Sequence, residues 1–483
     1  MKRFAKSAFI FLVISILTFS YFNKVFRSSE VYNATFSDFE ELADNTNIDI
    51  LIFGSSHALT AYNPLIVNQY SKAISYNLGS SALRFSLTNV LLKEALKNTK
   101  PKLIIIEVFE NSIRPPKSDE IKGFQLQALD VIPNLNQEKL DIMTTYYDDN
   151  EYLGFLFPLF RNHTQWNEKN YFNLDRSNRI SYNGPYYYYN GYVASRKSLK
   201  KEDSIKYIDF KTVKEGKPVN KKKIDEKITR EFSTLVSTAR EAGAEVLFVS
   251  SPDITVPYNS HRFYEELEKI CKALNTNLIN YNDLYQELNI GLSDFADPTH
   301  LNLKGGLKVS KHLGEYIRNN YSLPDRSMSE YYLISENDKR TFFTDNYPSK
   351  ATMKDPKHLL EDITLSRIEF YKDYTQSSLK ILIKTTNPKE LDQYNLGIHL
   401  TPTEEEKKFL HRPIDKERGH FIQDIALNSK DSIYETSFFA ATKKYSKIRV
   451  FLYNKKKYSG SIGRDFIWND IQFESTLSDP KVK

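Results

Sequence analysis

A serine hydroxyl, an imidazole and a carboxylate brought together can carry nucleophilic acyl chemistry. The hydroxyl attacks, the imidazole takes its proton, and the carboxylate orients the imidazole. The serine comes from Asp49-Ile-Leu-Ile-Phe-Gly54-Ser55-Ser56-His57. A β-branched apolar run stops there at a Gly-Ser-Ser turn and a helix-compatible segment follows, which puts Ser56 at the C-terminal end of a buried strand. Open α/β sheets place their chemistry at such ends. Read alone, such a serine is more often a helix cap. Of the nine histidines, His300 is the one in a strand-to-helix loop at the far end of the sheet domain, Phe295-Ala296-Asp297-Pro298-Thr299-His300-Leu301-Asn302. Asp297 precedes it by three residues, within reach of the imidazole on a tight loop that Pro298 stiffens. Alone, this loop also reads as an ordinary turn with Thr299 or Asn302 as a cap.

The elements that must position these groups alternate. Strands are expected at 49–53, 73–77, 102–108, 245–250 and 277–281, and helices at 85–98, 224–242, 261–274 and 303–317. Strands apolar on both faces and separated by helices imply a parallel sheet covered on both sides. The expected fold class is α/β, a three-layer α/β/α sandwich around a five-stranded parallel sheet, spanning residues 31–320 and opening on a polar connector that precedes the first strand. The alternation breaks at about 115–223, too long for a structureless loop. This insertion holds His163 and Trp166, and a tyrosine-rich stretch with Tyr186 and Tyr192. Aromatics interleaved with Asn and Gly suit stacking on sugar rings, and equally suit packing the insertion onto the sheet. Residues 321–365 read as a polar linker, and 366–483 as an all-β sandwich built of short alternating strands.

Length and composition bound the rest. A chain of 483 residues implies two or three domains. A net charge of +6, with acids and bases interspersed, gives no reason to expect a nucleic-acid partner. The single cysteine, Cys271, excludes an intrachain disulfide and any cysteine-cluster metal site, and it sits on an apolar helix face. No metal or cofactor motif stands out, and there is no phosphate-binding glycine loop. At the N-terminus Lys2, Arg3 and Lys6 precede an uncharged run from Ser7 to Phe22. That is the layout of an export signal or signal anchor, and residues 1–30 are read as a single-pass anchor with the bulk of the chain outside the cytoplasm. If the segment is cleaved, the protein is secreted.

Gly54-Ser55-Ser56, Tyr76-Asn77-Leu78-Gly79 and Asp297-Pro298-Thr299-His300 together resemble the SGNH (GDSL-like) hydrolase superfamily. With Ser55 where Asp is usual, they resemble its membrane-anchored branch, which includes the D-alanyl transfer protein of teichoic acid modification and relatives in alginate acetylation. The resemblance covers about residues 48–320 without the insertion. It implies Ser56 as nucleophile, Asp297 and His300 as acid and base, and an oxyanion hole from the N–H groups of Ser56 and Gly79. The third block, Gly-x-Asn-Asp, is absent. Ile106-Glu107-Val108-Phe109-Glu110-Asn111 stands in its place, with Asn111 as the candidate third donor.

The expected function is an exported serine esterase or O-acyltransferase acting on an acylated envelope or extracellular glycan. The candidates for substrate contact are His163, Trp166, Tyr186 and Tyr192. The expected partners are that polymer, the membrane through the N-terminal segment and, for transfer, an acyl-donor membrane protein. The rival expectation is a non-catalytic glycan-binding or envelope-assembly protein with a vestigial hydrolase domain.

Overall fold

The computed structural model describes residues 2–26, 31–115, 119–165, 186–195, 197–199, 224–254, 261–333, 335, 349–353, 356–372, 377–404, 421–438, 445–456, 460–469 and 474–475. In chain order the first seven strands are β1 (Ile50–Phe53), β2 (Ser75–Asn77), β3 (Leu103–Glu107), β4 (Tyr186–Tyr189), β5 (Tyr192–Ser195), β6 (Glu245–Ser250) and β7 (Asn277–Asn280). Five of them form a parallel sheet in the order β2-β1-β3-β6-β7. The direction of winding reverses at β1, and the crevice at that reversal, beyond the strand C-termini, is where such sheets bind ligands. Ser56 follows β1 directly.

The strand residues alternate between two cores. Leu51, Phe53, Ile104, Ile106, Val246 and Phe248 pack on one face with the helices Phe85–Ala95, Glu226–Glu241 and His261–Ala273. Ile50, Ile52, Leu103, Ile105, Leu247 and Val249 pack on the other with Ser56–Ala61, Pro64–Ser71 and Leu303–Asn320. All of these strand residues are buried, so the period of two fixes the register. A slip by one residue would exchange the two cores. Truncating one of them, Ile105→Ala, would cost about 2–5 kcal/mol.

Two expectations are corrected, and the insertion, too long for a structureless loop, is shown to be partly helical and packed. The connector after residue 30 is the helix Val31–Asn45, whose Phe36 and Phe39 enter the first core, Phe39 against Tyr76 at 5.4 Å. Part of the insertion extends that core through the helices Asp119–Leu129 and Gln137–Tyr146, with Leu126, Leu129, Ile142 and Met143 buried. The region read as linker carries two strands, Ser349–Met353 and Lys357–His358, which pair antiparallel with Ile363–Lys372; the C-terminal module therefore begins by residue 349.

Strands β4 and β5 form a hairpin whose two-residue turn is Asn190-Gly191, with φ of 45° and 84°, the conformation that twists in step with the strands. The turn is laid against the outer edge of β2, where Asn190 O accepts a hydrogen bond from Asn77 N (3.0 Å). Only glycine fits after it, because a Cβ on Gly191 would lie 1.8 Å from Asn77 O.

The C-terminal module is antiparallel. One sheet is centred on Ile363–Lys372 and Ser377–Thr385, the other on Tyr394–Pro402 and Tyr445–Asn454. Ile368, Phe370, Leu379 and Ile381 of the first share a core with Leu396, Ile398, Ile448 and Val450 of the second. At the other terminus the helix Lys2–Val25 holds a window, Arg3–Asn23, long and apolar enough to cross a membrane and unburied by the rest of the protein.

Candidate active site

The turn after β1 is built around Glu107 at the end of β3. Its Oε2 accepts from Ser55 N (3.1 Å) and from Ser55 Oγ (2.9 Å), and Ser55 Oγ in turn accepts from His57 N (3.2 Å), capping the helix Ser56–Ala61. The capping serine is thus Ser55. Ser56, the residue for which a capping role stood open, keeps its hydroxyl for other use. Gly54 makes the turn possible. Its φ is +154°, and a Cβ there would lie 2.5 Å from Glu107 Cβ and 2.8 Å from Ala58 Cβ. Burial pushes the Glu107 carboxyl up to about 7, against the pull of the two hydrogen bonds from Ser55.

Across the crevice the 295–302 loop presents His300, the expected base. Phe295 and Leu301 bridge its neck, Ala296 N donates to His300 O (2.9 Å), and Ile254 N donates to Pro298 O (3.1 Å), tying the loop to the end of β6. Asn302 caps the next helix through Lys304 N and Gly305 N. Asp297 Oδ1 accepts from Thr299 N (2.9 Å), His300 N (3.1 Å) and Thr299 Oγ1 (3.0 Å), so three bonds fix the carboxylate. His300 Nδ1 lies 2.9 Å from Asp297 Oδ2, and His300 Nε2 lies 2.7 Å from Ser56 Oγ. A carboxylate only accepts, so Nδ1 carries the proton; Nε2 then offers its lone pair and the Ser56 hydroxyl donates to it. Burial raises the Asp297 carboxyl, but the hydrogen bond and charge of His300 and the bonds from Thr299 more than offset it, to about 2. The acid therefore stays ionised. Two residues 244 positions apart meet in hydrogen-bond range.

The donors for a developing oxyanion are less complete. Ser56 N–H, at the first turn of its helix, donates to no group among the described residues. Gly79 N–H, the second expected donor, donates instead to Asn77 Oδ1 (2.9 Å), while Asn77 Nδ2 donates to Ala58 O and Tyr62 O (both 2.8 Å). Asn77 thereby closes the C-terminal end of the nucleophile helix. Asn111 lies exposed on the loop after β3, and it is its carbonyl, not its side chain, that is bonded, to the Arg84 guanidinium.

No family model matches the chain, and no curated protein matches it. Among solved structures it is similar to the tail fiber protein gp63.1 from an E. coli phage, at 10% identity and a TM-score of 0.27; the match covers 91% of this chain and 48% of that one. The chain spans about half the length of that protein.

Two of the four insertion candidates, Tyr192 and His163, are engaged away from the triad. Tyr192 is fully buried with Leu65, Ile66 and Leu303, its hydroxyl against Gly306, so it packs the hairpin onto the domain. Tyr186 pairs with Ser195 in that hairpin. His163 is exposed, its Nδ1 2.9 Å from Phe160 O, on a segment fixed to the N-terminal helix. Trp166 lies outside the described residues. Sequence reasoning instead missed His57. Its buried ring stacks on Phe109 (centroids 4.2 Å apart) and meets the His300 ring edge-on (5.3 Å), and burial holds its pKa down at about 3. It is a neutral wall behind the His300 ring. Its place beside Ser56 was visible in the sequence, but nothing there showed that its side chain turns inward.

Proposed function

We propose that the α/β domain is a serine-dependent ester hydrolase or O-acyltransferase of the SGNH type. The observation that carries this reading is the unbroken chain of hydrogen bonds from Ser56 Oγ through His300 to Asp297. Ser56 Oγ attacks an ester carbonyl while its proton passes to His300 Nε2. The imidazolium is stabilised by the Asp297 carboxylate, and the oxyanion develops beside Ser56 N–H. Collapse breaks the ester C–O bond as His300 returns the proton to the leaving alcohol. Water or a sugar hydroxyl, deprotonated by His300, then releases the acyl group.

The His300 and Asp297 side chains are 28% and 51% exposed, and such an open site admits a chain-like substrate such as an acylated envelope or extracellular glycan. The apolar N-terminal helix supports a single-pass anchor that holds this domain outside the cytoplasm. One observation favours the second reading, a glycan-binding protein with a vestigial site: Gly79 N–H is already bonded to Asn77.

A fluorophosphonate probe separates the two. Labelling of the wild-type chain that disappears in Ser56→Ala is expected. Labelling that persists in Ser56→Ala, or no labelling of a folded wild-type chain, would overturn the assignment.

A further inference from the structure

The insertion helix Tyr152–Leu156 seats Phe155 in the first core, and the helix Pro158–Arg161 that follows it packs against the last turns of the N-terminal helix. Phe157 meets the Phe19 ring edge-on (5.1 Å) and Phe160 lies at 6.0 Å from it. Leu159 N donates to Asn23 Oδ1 (3.2 Å), and Asn162 Nδ2 donates to Phe26 O (2.7 Å). Val25 and Phe26 are themselves buried in the protein, so the helix leaves its apolar window already gripped by the folded domain.

Depth follows from this geometry. Phe19 lies inside the window Arg3–Asn23, four residues before its end, and at the rise of an α-helix that is about 6 Å below the level of Asn23. If the window spans a bilayer, Phe157 and Phe160 lie at the depth to which interfacial helices sink, about 5–10 Å. The exposed surface of the same segment is apolar: Leu153 is 60% exposed and Phe160 41%, and Leu135, beside Asn134, whose amide donates to Leu156 O, is 93% exposed. Its polar groups turn inward, Arg161 onto Asp130 and Gly154 O. In water such a patch is costly, whereas in the acyl boundary it is favourable.

We propose that residues 152–161, with Leu135, form an interfacial foot that sinks into the outer surface of the bilayer crossed by the N-terminal helix and holds the domain at a fixed height above it. The proposal rests on the anchor reading. It does not depend on the chemistry at Ser56.

The full-length protein in phosphatidylcholine/phosphatidylglycerol vesicles, in a Cys271→Ser background, tests it. Single cysteines at Leu12, Leu153, Phe160 and Ile467 carry an environment-sensitive fluorophore, and nitroxide lipids serve as quenchers. Ile467 is a control 47% exposed on the C-terminal module. Quenching of Leu12→Cys by deep nitroxides, and of Leu153→Cys and Phe160→Cys to about half by shallow ones, with Ile467→Cys unaffected, is expected. If Leu12→Cys is quenched but 153 and 160 match Ile467→Cys, the foot is refuted and the anchor stands. The same holds if 153 and 160 are blue-shifted without quenching, which would mean that a second protein copy covers them. If Leu12→Cys is not quenched, the anchor reading itself fails and the foot with it.

Discussion

The two sides of the crevice are finished to different degrees. On the acid–base side both carboxylate oxygens of Asp297 and both ring nitrogens of His300 have partners, and the loop is tied down at its neck and to Ile254. On the oxyanion side one N–H, that of Ser56, is free among the described residues, the second is bonded to Asn77, and Asn111 faces solvent. On the proposed reading, nucleophile activation is complete at rest, whereas charge stabilisation is completed when substrate arrives. If Gly79 N–H is to serve, it has to exchange Asn77 Oδ1 for the oxyanion.

The largest expected effect breaks the finished side. Ser56→Ala should lower kcat on an aryl ester by about 10⁴–10⁶. Asp297→Asn should cost about 10⁴, because an amide at that place favours the wrong imidazole tautomer. A loss under tenfold in steady-state kinetics would mean that the carboxylate does not orient His300.

On the other side Asn77→Ala should destabilise the domain by about 1–3 kcal/mol in denaturant unfolding, since it strips donors from Ala58 O and Tyr62 O. It also frees Gly79 N–H, so residual kcat at low temperature reports whether that group is a donor in waiting.

Glu107 and His57 sharpen the contrast through pH. The folded Glu107 carboxyl titrates at about 7 against an ordinary 4.5, so the folded state holds the extra proton and stability falls as pH rises from 4.5 to 7. His57 titrates at about 3 against 6.5, so stability falls as pH drops from 6.5 toward 3. Between pH 4.5 and 6.5 the two slopes oppose and cancel. Glu107→Gln keeps an acceptor for Ser55 and removes one slope. Its unfolding free energy should rise with pH there by about 1.4 kcal/mol per unit relative to wild type. Parallel pH profiles for the two proteins would show that Glu107 is not titrating in this range.

The smallest effect is expected at Asn111. Asn111→Ala should change kcat by less than about twofold, where loss of a true oxyanion donor costs ~10²–10³. A hundredfold loss would place its side chain in the hole and complete the side that now looks unfinished.

The sheet was legible because its three central strands, β1, β3 and β6, are apolar on both faces, a signal that survives without context. All five strands fall within two residues of the expected bounds at each end. The triad residues were legible because a hydroxyl at a strand end and an Asp-x-x-His loop are local patterns. The oxyanion side was not, since the bond from Gly79 to Asn77 depends on where the neighbouring helix ends. The helix after residue 30 was hidden by its polar face, Phe36 and Phe39 being too few to announce a period. Tyr192 illustrates the ambiguity of aromatics: the residue type that stacks on a sugar also fills a core, and burial decides between them.

The Asn190-Gly191 turn has a consequence for solubility. β2 is an outermost strand, and an uncovered outer strand is a template on which another chain's strand can extend the sheet. By engaging Asn77 N at that margin, the hairpin interrupts the template at the end of β2. Because only glycine fits against Asn77 O, a single larger residue at 191 would lift the cap and expose the margin to a neighbouring molecule. The hairpin turn thus guards the end of an outer strand that would otherwise lie open.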